Sequence, residues 1–387
     1  MNGILNVYKE QGYTSFDVVA KLRGITHMKK IGHTGTLDPM AEGVLPVCFG
    51  TATKLCEFLT DHEKEYETVL YLGRETDTQD ATGEIIKETP VTISEEEVRT
   101  TVMQFVGTYE QLPPMYSAKQ VDGVRLYDLA RKGKSVERKA VSVCIKNIDI
   151  LSVELPRVRM RVTCGKGTYI RTLCADIGEK CGCGGMMEEL KRTRVGIFDI
   201  STALTLNRIS ELMADNAFEE ALIKPDMAFT NAYSLTVPEQ FDKAVSNGNP
   251  LKLRELKEYG IDLRNVLENE TSSSADLSGA KDLDANSVDE GNSNECNANE
   301  VNVAEAVVKE DDVVKEDDVV KEDDVVKEDD VVKEDDVVNG TAVDIISLGG
   351  RPKVRVYDHC GKFMGIYEYE KERRRIRPFK MFLEAED

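Results

Sequence analysis

The densest group of residues able to do chemistry lies between Gly32 and Pro46, where His33, Thr34, Thr36, Asp38 and Glu42 are interleaved with Gly35, Gly43 and Pro39. Three glycines and two prolines in fifteen residues prescribe one particular loop, since glycine supplies backbone conformations closed to other residues and proline fixes its own. That loop brings a carboxylate, Asp38, near an imidazole, His33. A carboxylate so held can act as a nucleophile. Asp38 could also merely cap a helix starting at Pro39, a favoured first helical residue.

Two nucleotide-binding readings fail on spacing. His33-Thr34-Gly35-Thr36 is similar to the loop of phosphoaspartate ATPases, but the position of their nucleophilic Asp is occupied here by Gly32. Gly165-Lys166-Gly167-Thr168 has part of a P-loop, yet the glycine required five residues before Gly165 is Met160. Metal chemistry has no ligand set either: the four histidines (27, 33, 62 and 359) are scattered, and Cys181-Gly182-Cys183 has no second pair to complete a zinc site. Nine cysteines, an odd number spread through apolar segments, read as reduced thiols, not as a disulfide framework.

The elements that must position the loop read as mixed α/β. Ser15 to Arg23 predicts a helix with Ser15 as N-cap and Phe16, Val19, Ala20 and Leu22 on its apolar side. Residues 66–72 and 158–164 alternate as half-buried strands do. Ser94 followed by Glu97 is a capping box opening a helix through Val106. Tyr169 to Glu179 predicts another helix, closed by glycines at 182, 184 and 185.

Further along, five Val-Val-Lys-Glu-Asp-Asp repeats run from Val307 to Asp336 after a polar, acidic stretch. Six residues match neither helical nor strand periodicity, so the region is expected to be disordered. Residues 265–342 hold 25 Asp and Glu against 6 Lys, and so carry −19 of the chain's net −21. The rest is nearly neutral and can still present a basic face to an anionic partner. Beyond it, residues 343–348, 354–357 and 363–369 read as strands, the last two forming a hairpin about Asp358 to Gly361. With Tyr233 to Val237 they suggest a small β module into which the acidic segment is inserted.

At 387 residues the chain has room for two domains. It opens without a secretory leader, and no apolar run approaches the roughly 18 residues of a membrane span. A cytoplasmic protein without membrane association is expected.

Taken as a whole, Gly32-His33-Thr34-Gly35-Thr36-Leu37-Asp38-Pro39 resembles the catalytic motif of TruB-type pseudouridine synthases, and the resemblance continues in order down the chain. Lys64 to Glu67 and Leu72 to Gly83, Gln111 to Ala118, Leu126 to Arg131, Gly165 to Leu173 and Leu190 to Arg194 look like the family's later blocks, over roughly residues 3 to 230. Lys119-Gln120 departs from the family's apolar residue followed by Lys.

The resemblance implies an α+β pseudouridine synthase fold, a mixed central sheet flanked by helices, over residues 1–228. It implies a PUA-like RNA-binding module over 229–264 and 343–387, interrupted by a disordered acidic insert at 265–342. Arg351, Lys353, Arg355 and the run Arg373 to Arg377 would then be either phosphate contacts or a solvated strand face. The implied reaction isomerises uridine 55 in the TΨC loop of tRNA, with no cofactor, no metal and no guide RNA, and with the enzyme a monomer. By position, Asp38 is implied as nucleophile and Arg171 as its partner. His33 would fill the space left by the extruded uridine, Tyr66 would stack on the flipped base, and Tyr169 and Leu190 would line its pocket.

Overall fold

The computed structural model describes residues 1–263 and 351–383, apart from 118, 122, 131, 132, 134, 135, 230 and 231. The repeat tract, the expected strand at 343–348, and Ala118 and Arg131 of the motif blocks lie outside the described residues.

Eight strands make up most of a nine-stranded sheet: β1 (Gly3–Lys9), β2 (Ile31–His33), β3 (Glu42–Phe49), β4 (Lys64–Leu72), β5 (Gly107–Gln111), β6 (Val141–Glu154), β7 (Arg157–Cys164) and β8 (Gly185–Val195). Their order is β1-β3-β8-β4-β7-β6-β5, with β2 paired to β3. Neighbours are antiparallel except β3 and β8, which meet in parallel at Glu42–Lys191 and Gly43–Arg192. The alternation expected of 66–72 and 158–164 is present in β4 and β7, which bury alternate residues and pair with one another.

Helices α1 (Ser15–Thr26), α2 (Glu95–Met103), α3 (Ile170–Lys180) and α4 (Leu206–Ala214) flank the sheet. α2 and α3 pack with β4, β6, β7 and β8 around Val98, Val102, Ile148, Met160, Leu173 and Ile177. α1 and α4 cover β1 and β3 through Val18, Leu22, Leu5, Val47 and Ile209.

The capping box at Ser94 and Glu97 is present, but α2 ends at Met103, and Phe105 and Val106 follow in tight turns. The start of α1 corrects the sequence expectation. Thr14, not Ser15, is the N-cap: its hydroxyl accepts the Asp17 N–H at 3.0 Å while the Asp17 carboxylate accepts the Thr14 N–H at 2.8 Å. The buried face then runs Ser15, Val18, Val19, Leu22 and Thr26, the spacing of one helical side. Phe16 and Ala20 therefore face outward, and Arg23 lies over the Phe16 ring.

The C-terminal strands β9 (Tyr233–Thr236), β10 (Leu251–Lys252), β11 (Lys353–Tyr357), β12 (Phe363–Glu370) and β13 (Arg375–Met381) form a five-stranded sheet in the order β9-β11-β12-β13-β10. The hairpin about Gly361 joins β11 to β12, and β9 pairs with β11 in parallel. Ile366 and Phe382 share a buried cluster with Ile4, Val44 and Phe229. The module's cations are for the most part committed internally. Lys353 and Arg377 flank Glu368, Arg375 pairs with Glu370 at 2.6 Å, and the Arg355 Nε donates to the Ala232 carbonyl at 3.1 Å. Lys353, Arg375 and Arg377 thus form cross-strand ion pairs, while Arg351 and Arg377 remain half-exposed.

Among the described residues Cys48, Cys56, Cys164, Cys174, Cys181, Cys183 and Cys360 are free thiols.

Candidate active site

Asp38 sits in the loop between β2 and β3, and the loop is pinned from several elements. Ser15, freed from capping, accepts the Leu37 N–H on its hydroxyl at 2.9 Å. The Thr34 N–H donates to the Pro46 carbonyl at 3.1 Å, and the Ala41 N–H closes a turn onto the Asp38 carbonyl at 3.0 Å. No helix begins at Pro39, so Asp38 has no helix to cap.

Two buried cations complete the support. Lys9 donates to the Pro39 and Ala41 carbonyls at 3.4 and 2.5 Å, and burial pulls its pKa down to about 8. Arg192, 1% exposed, donates from Nε to the Val44 carbonyl at 2.7 Å and from Nη2 to the Gly35 carbonyl at 3.4 Å. Gly43 is required here: its φ is +106°, and a Cβ would lie 2.2 Å from the Arg192 carbonyl oxygen.

The Asp38 side chain faces a cavity of about 1010 Å³ whose walls include Tyr66, Tyr116, Tyr169, Arg171 and Leu190. Five of the six residues singled out from sequence thus meet at one place. His33 does not line this cavity. It lies on β2, with its Nδ1 accepting the Gly35 N–H at 3.4 Å. Burial, helped by Arg192, lowers its pKa and favours the neutral ring.

Arg171, in the first turn of α3, is buried and sits between two carboxylates. Its Nη2 lies 3.2 Å from Asp38 Oδ2 and donates to the Tyr116 carbonyl at 2.6 Å, while Nη1 lies 3.3 Å from Asp80 Oδ2. Asp80 is itself fixed: its Oδ1 accepts from the Thr78 hydroxyl at 2.7 Å and from the Thr82 N–H at 3.0 Å. One guanidinium, shared between two carboxylates and a carbonyl, holds Asp38 in a single orientation.

Arg171 draws the Asp38 pKa down, as a cation must, but desolvation is the larger influence and Asp80 adds to it. The Asp38 carboxyl therefore stands above the ordinary aspartate value. Tyr66, on β4, is buried, and its hydroxyl meets the Arg192 guanidinium. Tyr169 is the N-cap residue of α3, and Leu190 projects from β8.

Sequence reasoning left out Asp80, Lys9, Arg192 and the Tyr116 carbonyl as contributors. Asp80 had a usable signal, an acidic residue between Thr78 and Thr82 that can serve it as hydroxyl donors. A backbone carbonyl has none. Among the described residues no cluster of His, Cys, Asp and Glu could hold a metal ion, and no helix is long and apolar enough to cross a membrane.

The chain is similar to several known proteins. A family model described as the N-terminal domain of TruB family pseudouridylate synthase matches residues 23–170. Another, the tRNA pseudouridylate synthase B C-terminal domain, matches residues 171–227. The chain is 54% identical over 259 residues to the tRNA pseudouridine synthase B of Lachnoclostridium phytofermentans, covering 65% of this chain and 84% of that one. It is 48% identical over 249 residues to the protein of the same name from Alkaliphilus oremlandii, covering 64% and 82%.

Among solved structures, a Cbf5-Nop10-Gar1 complex aligns with a TM-score of 0.50 at 29% identity, over 64% of this chain and 67% of that one. An H/ACA RNP bound to a substrate RNA containing 2'-deoxyuridine aligns with a TM-score of 0.55 over 98% and 85% of the two chains. At 18% identity it speaks for the fold alone. Together with the two-carboxylate, one-arginine site, these matches place the chain in the TruB family, as an RNA pseudouridine synthase.

Proposed function

We propose that this enzyme isomerises uridine 55 in the TΨC loop of tRNA to pseudouridine, as a monomer and without a guide RNA. The observation that carries the reading is the Asp38 carboxylate, held by buried Arg171 against a cavity large enough for an extruded nucleoside. Asp38 attacks either C1′ of the ribose or C6 of the uracil. The N1–C1′ bond breaks, the base turns, and a C5–C1′ bond forms as the carboxylate is released; the C5 proton leaves and N1 takes up a proton, so the net change is an isomerisation. Tyr66 offers a ring face for the flipped base, with Tyr169 and Leu190 closing the sides, and His33 occupies the place the uridine vacates. No redox change occurs, so no cofactor is required. Mapping pseudouridine in a bare tRNA transcript after adding the purified protein tests the reading. Modification at another position, or only when a guide RNA is supplied, would sink it.

The domain assignment belongs to the same proposal: catalysis in 1–228, RNA binding in 229–264 with 343–387, and an acidic insert at 265–342. Deleting Asn265 to Ala342 is expected to leave the catalytic rate within about threefold. tRNA affinity should hold or rise, because removing negative charge favours a polyanionic ligand. A deletion protein that folds but no longer modifies tRNA would refute the assignment.

The pH profile follows from the site. The attacking form is the ionised carboxylate, so the rate is full above the Asp38 pKa and is lost as pH falls through it. Burial has raised that pKa. The acid limb of single-turnover tritium release from 5-³H-uridine tRNA should therefore lie above about pH 4, the value of an ordinary aspartate. A limb at or below it would contradict the assignment of Asp38.

A further inference from the structure

Arg171 can serve Asp38 only if the first turn of α3 is held in place, and the N-cap residue of that helix supplies no hold of its own. Tyr169 has an extended backbone, and its side chain makes no capping bond. Its backbone is instead met by Gln111, the last residue of β5, which is 1% exposed. The Gln111 Oε1 accepts the Tyr169 N–H at 2.8 Å, and its Nε2 donates to the Tyr169 carbonyl at 3.1 Å. A primary amide presents the same donor and acceptor as a peptide unit, so Gln111 pairs with Tyr169 as a neighbouring strand would.

The clamp is itself braced. Nε2 also donates to the Tyr109 hydroxyl at 2.5 Å, and that hydroxyl meets the Asp176 carboxyl one and a half turns along α3. On the other flank of Arg171, the Thr172 hydroxyl donates to Gln79 Oε1 at 2.8 Å. Gln79 adjoins Asp80, so that flank is tied to the carboxylate partner. The Tyr169 flank depends on Gln111.

We infer that Gln111 is a positioning residue for the reaction: its amide clamps Tyr169 so that the Arg171 guanidinium stays between Asp38 and Asp80 and Tyr169 stays on the cavity wall. This rests on the reading of Asp38 as the reacting carboxylate. It explains why a fully buried amide ends β5 where the chain turns toward Tyr116, whose carbonyl also receives Arg171. The role differs from simple satisfaction of buried polar groups in one measurable way. If the clamp loosens, Arg171 opposes the burial of Asp38 less well, and the Asp38 carboxyl needs a higher pH to ionise.

The test is Gln111→Met in the full chain, which keeps length and burial and lacks both bonds. Single-turnover tritium release is followed across pH beside filter binding of the same tRNA. Binding should stay within about twofold, the rate at neutral pH should fall about tenfold or more, as for a small misplacement of a catalytic group, and the acid limb should move to higher pH. Gln111→Glu keeps the acceptor for the Tyr169 N–H but loses the donor, so it should fall between. It carries the test if the methionine variant does not fold. An unmoved limb with only a lowered melting temperature would overturn the inference and leave a structural amide. Arg171→Gln, which removes the cation that opposes the burial of Asp38, is the control. If its limb moves and that of Gln111→Met does not, the clamp fails while the Asp38 reading stands. If neither moves, the Asp38 reading fails and takes the inference with it.

Discussion

Asp38→Asn is expected to bring isomerisation below about one hundredth of the wild-type single-turnover rate, the scale of losing a covalent nucleophile, while tRNA binding persists. Asparagine keeps the shape of the side chain and one acceptor oxygen for Arg171, 3.3 Å away at Oδ1, so the loop and the cavity should survive. What disappears is the ionised oxygen that attacks in the proposed mechanism. Desolvation makes that charge costly in the wild-type fold, so removing it should leave the melting temperature unchanged or raised. Tritium release, filter binding and thermal melts on one preparation separate these effects. A variant retaining more than about a hundredth of the rate would remove Asp38 from the nucleophile's role.

Arg171→Ala should damage both rate and stability, which distinguishes it from the Asp38 variant. The guanidinium serves Asp38, Asp80 and the Tyr116 carbonyl together. Its removal leaves buried Asp80 without a cation, and breaking a buried pair from one side costs about 3 kcal/mol or more. The rate should fall by about 10² or more, because the carboxylate loses its orientation and is harder to ionise. A clear drop in melting temperature beside the rate loss is the expected signature. Full stability with full activity would mean that the ion pairs organise nothing.

Much of this was legible because it rests on local rules. The glycines and prolines from Gly32 to Pro46 mark the loop, Ser94 and Glu97 mark a helix start, and alternation marks β4 and β7. The pairing of Asp38 with Arg171, 133 positions away, was implied only by the resemblance to the TruB family. What escaped belongs to tertiary context. Lys9 and Arg192 are buried cations bound to carbonyls, and sequence alone assigns such side chains to the surface by default. At α1, Ser15 is by type the better cap, and it is the Thr14–Asp17 capping box together with the claim of the Leu37 loop on Ser15 that makes Thr14 the cap. In the module, whether Lys353, Arg375 and Arg377 meet phosphate or carboxylate depends on cross-strand register with Glu368 and Glu370.

The place of β8 in the sheet bears on how the protein is made. β8 is the latest in the chain of this sheet's eight labelled strands, yet it lies between β3 and β4. As the chain leaves the ribosome, β1 and β3 can pair early, and β4, β7, β6 and β5 can assemble as a second group, but the two cannot be joined until residues 185–195 emerge. Until then β4 presents an unpaired edge, the kind of surface that recruits other strands, whereas the corresponding edge of β3 is already covered by β2 at residues 47–49. The joining strand also carries Leu190 and Arg192, while the loop of Asp38 adjoins β3 and Tyr66 lies on β4. Closing the sheet and completing the site therefore depend on the same strand, because β8 brings Leu190 and Arg192 to the loop of Asp38 and to Tyr66.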